Sequence, residues 1–162
     1  QFKRGNIEAV VAGALARSGL APCYLELEIT ETALIDDAEK CIATLNGLKS
    51  LGVSISIDDF GTGYSNLSYL QRFSVNKLKI DQSFIHRLND GPQELAIVAA
   101  IVQMAKGLNL LTTAEGIENE NVRQQLAALD CNYGQGFYIS RPCTAEAFEH
   151  FVRNNRAAVA VA

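Results

Sequence analysis

The chain has 162 residues, 48% of them hydrophobic and 20% charged, which suits one domain with a buried core and excludes a disordered tail. Its formal charge of −4 argues against a polyanion-binding surface, so no DNA or RNA partner is expected, while one small phosphorylated ligand held through a metal stays open. No apolar run reaches the length of a membrane span and no signal-peptide pattern opens the chain, so this segment is expected to make no membrane contact.

Cys23, Cys41, Cys131 and Cys143 lack paired metal spacing and read as reduced thiols of a cytoplasmic protein. The chain opens on Gln1 and its only methionine is Met104, so it reads as a piece of something longer.

Ile7, Val10, Val11, Ala14 and Leu15 recur at helical spacing over residues 6–18, and Gly19 ends the run. After Pro22, residues 25–31 alternate as a strand. Leu25, Leu27 and Ile29 share one face; Glu26, Glu28 and Thr30 share the other. Asp36 and Asp37 read as the start of a helix that runs to Gly52, with Lys49 in its last turn. The next strand is Val53 to Asp58, with Ile55 and Ile57 on one parity and Ser54, Ser56 and Asp58 on the other. Gly61 and Gly63 break this run and free the backbone for positive φ or close approach to a ligand. Asp58 and Asp59 therefore stand where a strand gives way to a loop. Two adjacent carboxylates repel, and a divalent cation on oxygen ligands relieves that; an Asp-rich turn capping the next helix is the other reading.

A short helix is expected from Ser65 to Phe73, and Tyr64, Tyr69 and Phe73 read as packing or a subunit interface. Lys77 to Asp81 is a strand with Leu78 and Ile80 opposite Lys77, Lys79 and Asp81. Asp90, Gly91 and Pro92 turn the chain into a long helix over residues 93–106, which Gly107 ends. Leu110 to Glu115 is a strand, residues 119–129 are a helix, and Tyr133 to Ser140 is the last strand. Thr144 caps a final helix reaching Arg153, and the small apolar tail from Ala157 to Ala162 reads as frayed. His86 and His150 read as surface residues, and Arg141 as solvated or in reach of a ligand phosphate.

Strands alternating with helices imply a parallel sheet with right-handed crossovers. One face of four strands is polar and increasingly acidic toward its carboxyl end, which fits a barrel whose interior opens into a site at that rim. Glu28, Asp58, Asp81 and Glu115 fall near strand ends, and Lys79 lies one inward step below Asp81. A full barrel of this kind takes about 250 residues. The expected fold is therefore α/β, an incomplete (β/α)8 TIM-like barrel of about five βα units. Residues 1–162 form one partial domain whose N-terminal strands are missing, and its open wall is covered by upstream strands or by another chain.

Glu28, Asp58 and Asp59 can supply oxygens to one or two divalent cations, and Lys79 is the cation on the same inward face. Glu115, near Glu118, adds a carboxylate at a rim loop, and Gln135 stands between two glycines at the start of the last strand. Such a cluster suits metal-assisted hydrolysis of a phosphate ester, with Lys79 stabilising charge or holding water and Glu115 acting as ligand or general base.

Glu28-Ile-Thr-Glu31, Asp58-Asp-Phe-Gly-Thr-Gly-Tyr-Ser65, Lys79-Ile-Asp81, Glu115-Gly-Ile-Glu118 and Gln135-Gly-Phe stand in the order of the EAL-domain signatures, and from Gln1 to about Val152 the chain resembles that family. The resemblance implies a (β/α) barrel that hydrolyses cyclic di-GMP to linear pGpG with Mg2+ or Mn2+. It implies metal ligation by Glu28, Asp58 and Asp59. Lys79 resembles the residue that positions the attacking water, and Glu115 the catalytic or metal-binding carboxylate. Asp81, Glu118 and Gln135 match positions that support metals or substrate, and Glu31 is similar to the glutamate that anchors the loop after Asp59. A homodimer is implied, as are upstream sensor or GGDEF-type domains in the parent, which other domains could anchor to a membrane.

No Glu-Ala-Leu tripeptide stands at a strand end, and a metal-binding asparagine of the next inward strand is also missing; Gln1-Phe2 resembles the segment just after it. The piece alone is thus expected to bind metal weakly and hydrolyse little, activity belonging to the parent. The alternatives are a non-catalytic cyclic di-GMP-binding sensor and a dimerisation module.

Overall fold

In the computed structural model, residues 6–35, 38–63 and 70–155 are described. The expectations for Gln1, Phe2, Asp36, Asp37, Tyr64, Ser65, Tyr69 and the tail from Ala157 lie outside them.

Helix α1 spans Ile7–Ser18, with the Asn6 side chain accepting from Ala9 N at 3.0 Å and Gly19 closing it at φ 68°. Strand β1 is Glu26–Thr30, followed by the short helix α2, Glu31–Ile35, and by α3, Ala38–Ser50. β2 is Ser54–Phe60 and β3 is Lys77–Ile80. Helix α4, Gln82–His86, and helix α5, Pro92–Gly107, lead to β4, Leu111–Glu115. Helix α6, Glu120–Ala128, leads to β5, Tyr133–Gln135, and α7 is Ala145–Asn154. All four strand pairings are parallel, in the spatial order β1-β2-β3-β4-β5. The fold is the expected partial (β/α) barrel. Among the described residues no helix is long and apolar enough to cross a membrane.

The two strand faces divide by parity. Ile29, Ile55, Ile57, Leu78, Ile80 and Ala114 are buried toward the helices, where they meet Leu45, Leu48, Ile85 and Val98. Glu26, Glu28, Ser56, Asp58, Lys77, Lys79 and Glu115 take the other face. Register carries this across strands: Glu28 pairs with Ser56 and Ser56 with Lys77, while Thr30 pairs with Asp58. Among the described residues the buried side chains form two cores, one around Leu45, Leu48 and Ile55 and a second around Ile80, Ile85 and Val98, and half-buried Phe73 packs against the first.

The carboxyl ends of four strands differ from expectation. β1 ends at Thr30 because Glu31 already belongs to α2. β3 ends at Ile80; Asp81 leaves the ladder to cap α4, where its carboxylate accepts from Ser83 N at 3.0 Å. β2 does not stop at Asp58 but runs through Phe60. β5 stops at Gln135 rather than Ser140, because Tyr138 N donates to Ile117 O and Ile139 N to Gly136 O, which curls the chain out of the ladder.

The extension of β2 has a physical reason. Ile57 pairs with Leu78 and Phe60 with Ile80, so three steps on β2 oppose two on β3. That is a β-bulge, and Asp59 occupies it at φ 54°. Strict alternation would put Asp59 among the helices and Phe60 on the polar face. The bulge reverses both: Phe60 is 5% exposed in the core, and Asp59 joins Asp58.

Candidate metal centre

At the carboxyl end of the inner face, one oxygen each from Asp58, Asp59 and Glu115 lie within 4.8 Å of one another. β2 delivers the first, its bulge the second and the end of β4 the third. Beneath them Lys79 is 5% exposed, with Nζ 2.7 Å from Glu115 Oε1, 2.8 Å from Glu28 Oε1 and 2.9 Å from Asp58 Oδ1. Burial works against the lysine's charge, but Glu115, Glu28 and Asp58 outweigh it and hold the ammonium above its ordinary pKa. Glu115 is raised by burial, against the pull of Lys79, with Asp58 and Glu28 adding to the rise. Asp59 is raised too, by burial first and then by Asp58 and Asp81.

Glu28 stays outside the group of three and joins it through Lys79. Glu31, 5% exposed, accepts from Gly61 N at 2.9 Å and so ties α2 to the loop after the bulge. Gln135 Nε2 donates to Glu115 Oε1 at 2.8 Å. Asp81 acts on Asp59 through its charge and caps the start of α4. Glu118 is apart from the acidic group; its Oε1 lies 3.6 Å from His86 Nε2.

These donors suit a hard divalent cation. They are all oxygen, and four carboxylates face one ammonium, so the protein's own charge leaves the group over-acidic. Asp58 Oδ1 is buried with Lys79 Nζ at 2.9 Å as its ion-pair partner, and Ser56 Oγ, one inward step below, is buried with no hydrogen-bond partner among the described residues.

A cavity of about 710 Å³ opens beside Glu115 and Gln135, with His86, Glu118, Phe137 and Arg141 on its walls. The Arg141 guanidinium sits over the Phe137 ring, 4.7 Å from its centroid. Both His86 and Arg141 are exposed, as expected, and both line this cavity. Their place depends on loops brought together by β4 and β5, which no local pattern reports. His150 is the exposed residue expected, bonded to Asn154.

The EAL domain model matches residues 1–142. The chain belongs to the EAL domain family. It is 45% identical over 146 residues to MucR of Pseudomonas aeruginosa, a bifunctional diguanylate cyclase/cyclic di-GMP phosphodiesterase, covering 90% of this chain and 21% of MucR. It is also 45% identical over 156 residues to the cyclic di-GMP phosphodiesterase NbdA of that organism, covering 94% of this chain and 20% of NbdA. This EAL segment thus spans about a fifth of the length of these curated relatives. The structure of the MucR phosphodiesterase in complex with c-di-GMP has a TM-score of 0.88 at 44% identity, covering 91% of this chain and 60% of that one. BlrP1 of Klebsiella pneumoniae, in a manganese and cyclic di-GMP complex, gives 0.80 at 32% identity, covering 88% of this chain and 36% of that one.

Proposed function

We propose that the protein carrying this EAL segment hydrolyses one phosphodiester bond of cyclic di-GMP to give linear pGpG, with Mg2+ or Mn2+ as cofactor. The observation that carries this reading is the convergence of Asp58, Asp59 and Glu115 above a lysine that already contacts three carboxylates. The names of MucR and NbdA support the substrate, and the manganese complex of BlrP1 supports the cofactor class.

Glu28, Asp58 and Asp59, together with Glu115 at the end of β4, would hold the cation, which when bound would supply a water of lowered pKa and neutralise phosphate oxygens. Lys79 keeps its proton and presents a fixed positive charge to the attacking water and to the charge growing on the phosphate. Glu115 Oε1 is engaged by Lys79 and Gln135, which leaves Oε2 as a further ligand to the cation, beside the water whose proton it would take. Gln135 fixes the Glu115 rotamer, Glu31 holds the loop after Asp59, Asp81 secures the start of α4, and Glu118 meets substrate from the cavity wall.

The same reading puts the site in the cytoplasm of a homodimer, downstream of sensor or GGDEF-type domains; the name of MucR supports the last of these. Sedimentation of the intact protein at the monomer mass would remove the dimer. The decisive assay is pGpG release by the intact protein with Mg2+ or Mn2+ and after chelation. Turnover that survives chelation, or no turnover with either metal, would overturn the proposal.

A further inference from the structure

Helix α4 is five residues long, yet it touches both loops that carry the acidic group. It follows β3, whose neighbours in the sheet are β2 and β4. Side chains two residues apart on a helix leave its axis about 200° apart. Phe84 and His86 therefore reach in opposite directions, one toward each neighbouring strand.

On the β2 side the Phe84 ring lies against Gly61, where a Cβ would stand 2.8 Å from Cε2. On the β4 side the His86 ring lies against Gly116, where a Cβ would stand 2.8 Å from Nε2 and also 2.8 Å from Gln82 Cβ. Both glycines have left-handed backbones, at φ 98° and φ 78°, so neither contact could be moved outward by a side chain without strain. Gly61 sits two residues after Asp59, and Gly116 directly follows Glu115. The helix is itself anchored at both ends: Asp81 caps its start, and Ile85 is fully buried in the second core.

We propose that α4 is a strut that sets the separation of the Asp58–Asp59 loop from the Glu115 loop, and that Phe84 and His86 are positioning residues for the cation site. The inference rests on the metal reading above. Cation–ligand distances tolerate only a few tenths of an ångström, so whatever fixes the spacing of two ligand-bearing loops fixes affinity. A flat ring in contact with bare backbone transmits a displacement without the slack of a flexible side chain. An ordinary core contact predicts something different, namely lost stability with unaltered metal binding.

The test compares the intact protein with its Phe84→Ala, His86→Ala and His86→Phe variants. Free Mn2+ is counted by EPR during titration, and Tm is recorded alongside. Removing either ring is expected to raise the manganese Kd about tenfold, the scale of losing a support behind a metal ligand. His86 has a side chain 42% exposed, so His86→Ala keeps its Tm and isolates positioning from folding even if Phe84→Ala unfolds. His86→Phe, which keeps a ring against Gly116, restores the parental Kd. An unchanged Kd in His86→Ala, or His86→Phe binding as poorly as alanine, would overturn the strut while leaving the metal reading intact. Failure of the unsubstituted protein to bind manganese would overturn both.

Discussion

Lys77 and Lys79 stand two residues apart on β3, on the same inward face, and each holds a glutamate of β1 at 2.8 Å. Their surroundings part there. Lys77 has Glu26 as its ion-pair partner and lies 4.8 Å over the ring of Tyr133, an arrangement that is neutral and complete. Lys79 has three carboxylates, and Asp59 adds a fourth to the same mouth. One lysine cannot neutralise that group, and burial makes the surplus costly. Two lysines with the same backbone setting are thus told apart by charge balance. Where the protein satisfies its own ions the cluster is structural; where it leaves a surplus the proposed cation would supply the balance.

The largest expected effects fall on the upper cluster and have opposite signs in stability. Lys79→Ala should reduce hydrolysis by the intact protein at least about a hundredfold, the scale of removing one preorganised charge. It should also destabilise the metal-free protein by roughly 3 kcal/mol, since Glu28, Asp58 and Glu115 lose their counter-ion. Asp58→Asn should lose hydrolysis just as fully, yet leave the metal-free protein as stable or more stable, because it removes part of the surplus. Urea melts in the presence of chelator check the signs. Equal destabilisation by both substitutions would break the charge-balance account.

Next in size is the response to metal and acid. The carboxyls of Asp59 and Glu115 are both raised from their ordinary pKa, burial being the first cause in each. A carboxyl raised in the folded state contributes stability below its unfolded pKa and loses it as pH rises through the folded value. The metal-free protein therefore carries this cost at neutral pH, and a cation offsets it. At a manganese concentration of a hundred times Kd the gain should be about 2.7 kcal/mol. The gain should shrink as pH falls from neutral into the acid range, where protons compete for the same oxygens. Thermal melts across that range, with and without Mn2+, measure it; an increment that ignores pH would contradict the surplus.

How far this was legible in the sequence follows from what is local. Parity is local: alternation over β1, β2 and β3 puts Glu26 with Lys77 and Glu28 with Lys79 on one face, and both pairs form. The bulge is not local. It exists because Phe60 needs the core and Ile80 fixes where β2 must rejoin β3, so the left-handed Asp59 is visible only once the strands are paired. Helices of five residues, as in α2 and α4, are too short for a 3.6-residue period to show. β5 failed differently. Its alternation continues through Phe137 and Ile139, but Ile117 takes the Tyr138 amide and ends the ladder.

The smallest expected effect lies in the lower cluster and decides whether the comparison holds. Lys77→Met keeps most of the apolar stem over Tyr133 and removes only the ammonium. Glu26 is then unpaired, but its side chain is 32% exposed and water reaches it, so the cost should stay below about 1 kcal/mol. Pairing Lys77→Met with Glu26→Gln removes the remaining charge as well and should recover part of that loss. Hydrolysis should be unchanged in both, because neither residue touches the upper group. Urea midpoints and pGpG release read the two quantities separately. A Lys77→Met variant as inactive as Lys79→Ala would show that the inner face works as one electrostatic unit, and charge balance would no longer separate its structural end from its chemical one.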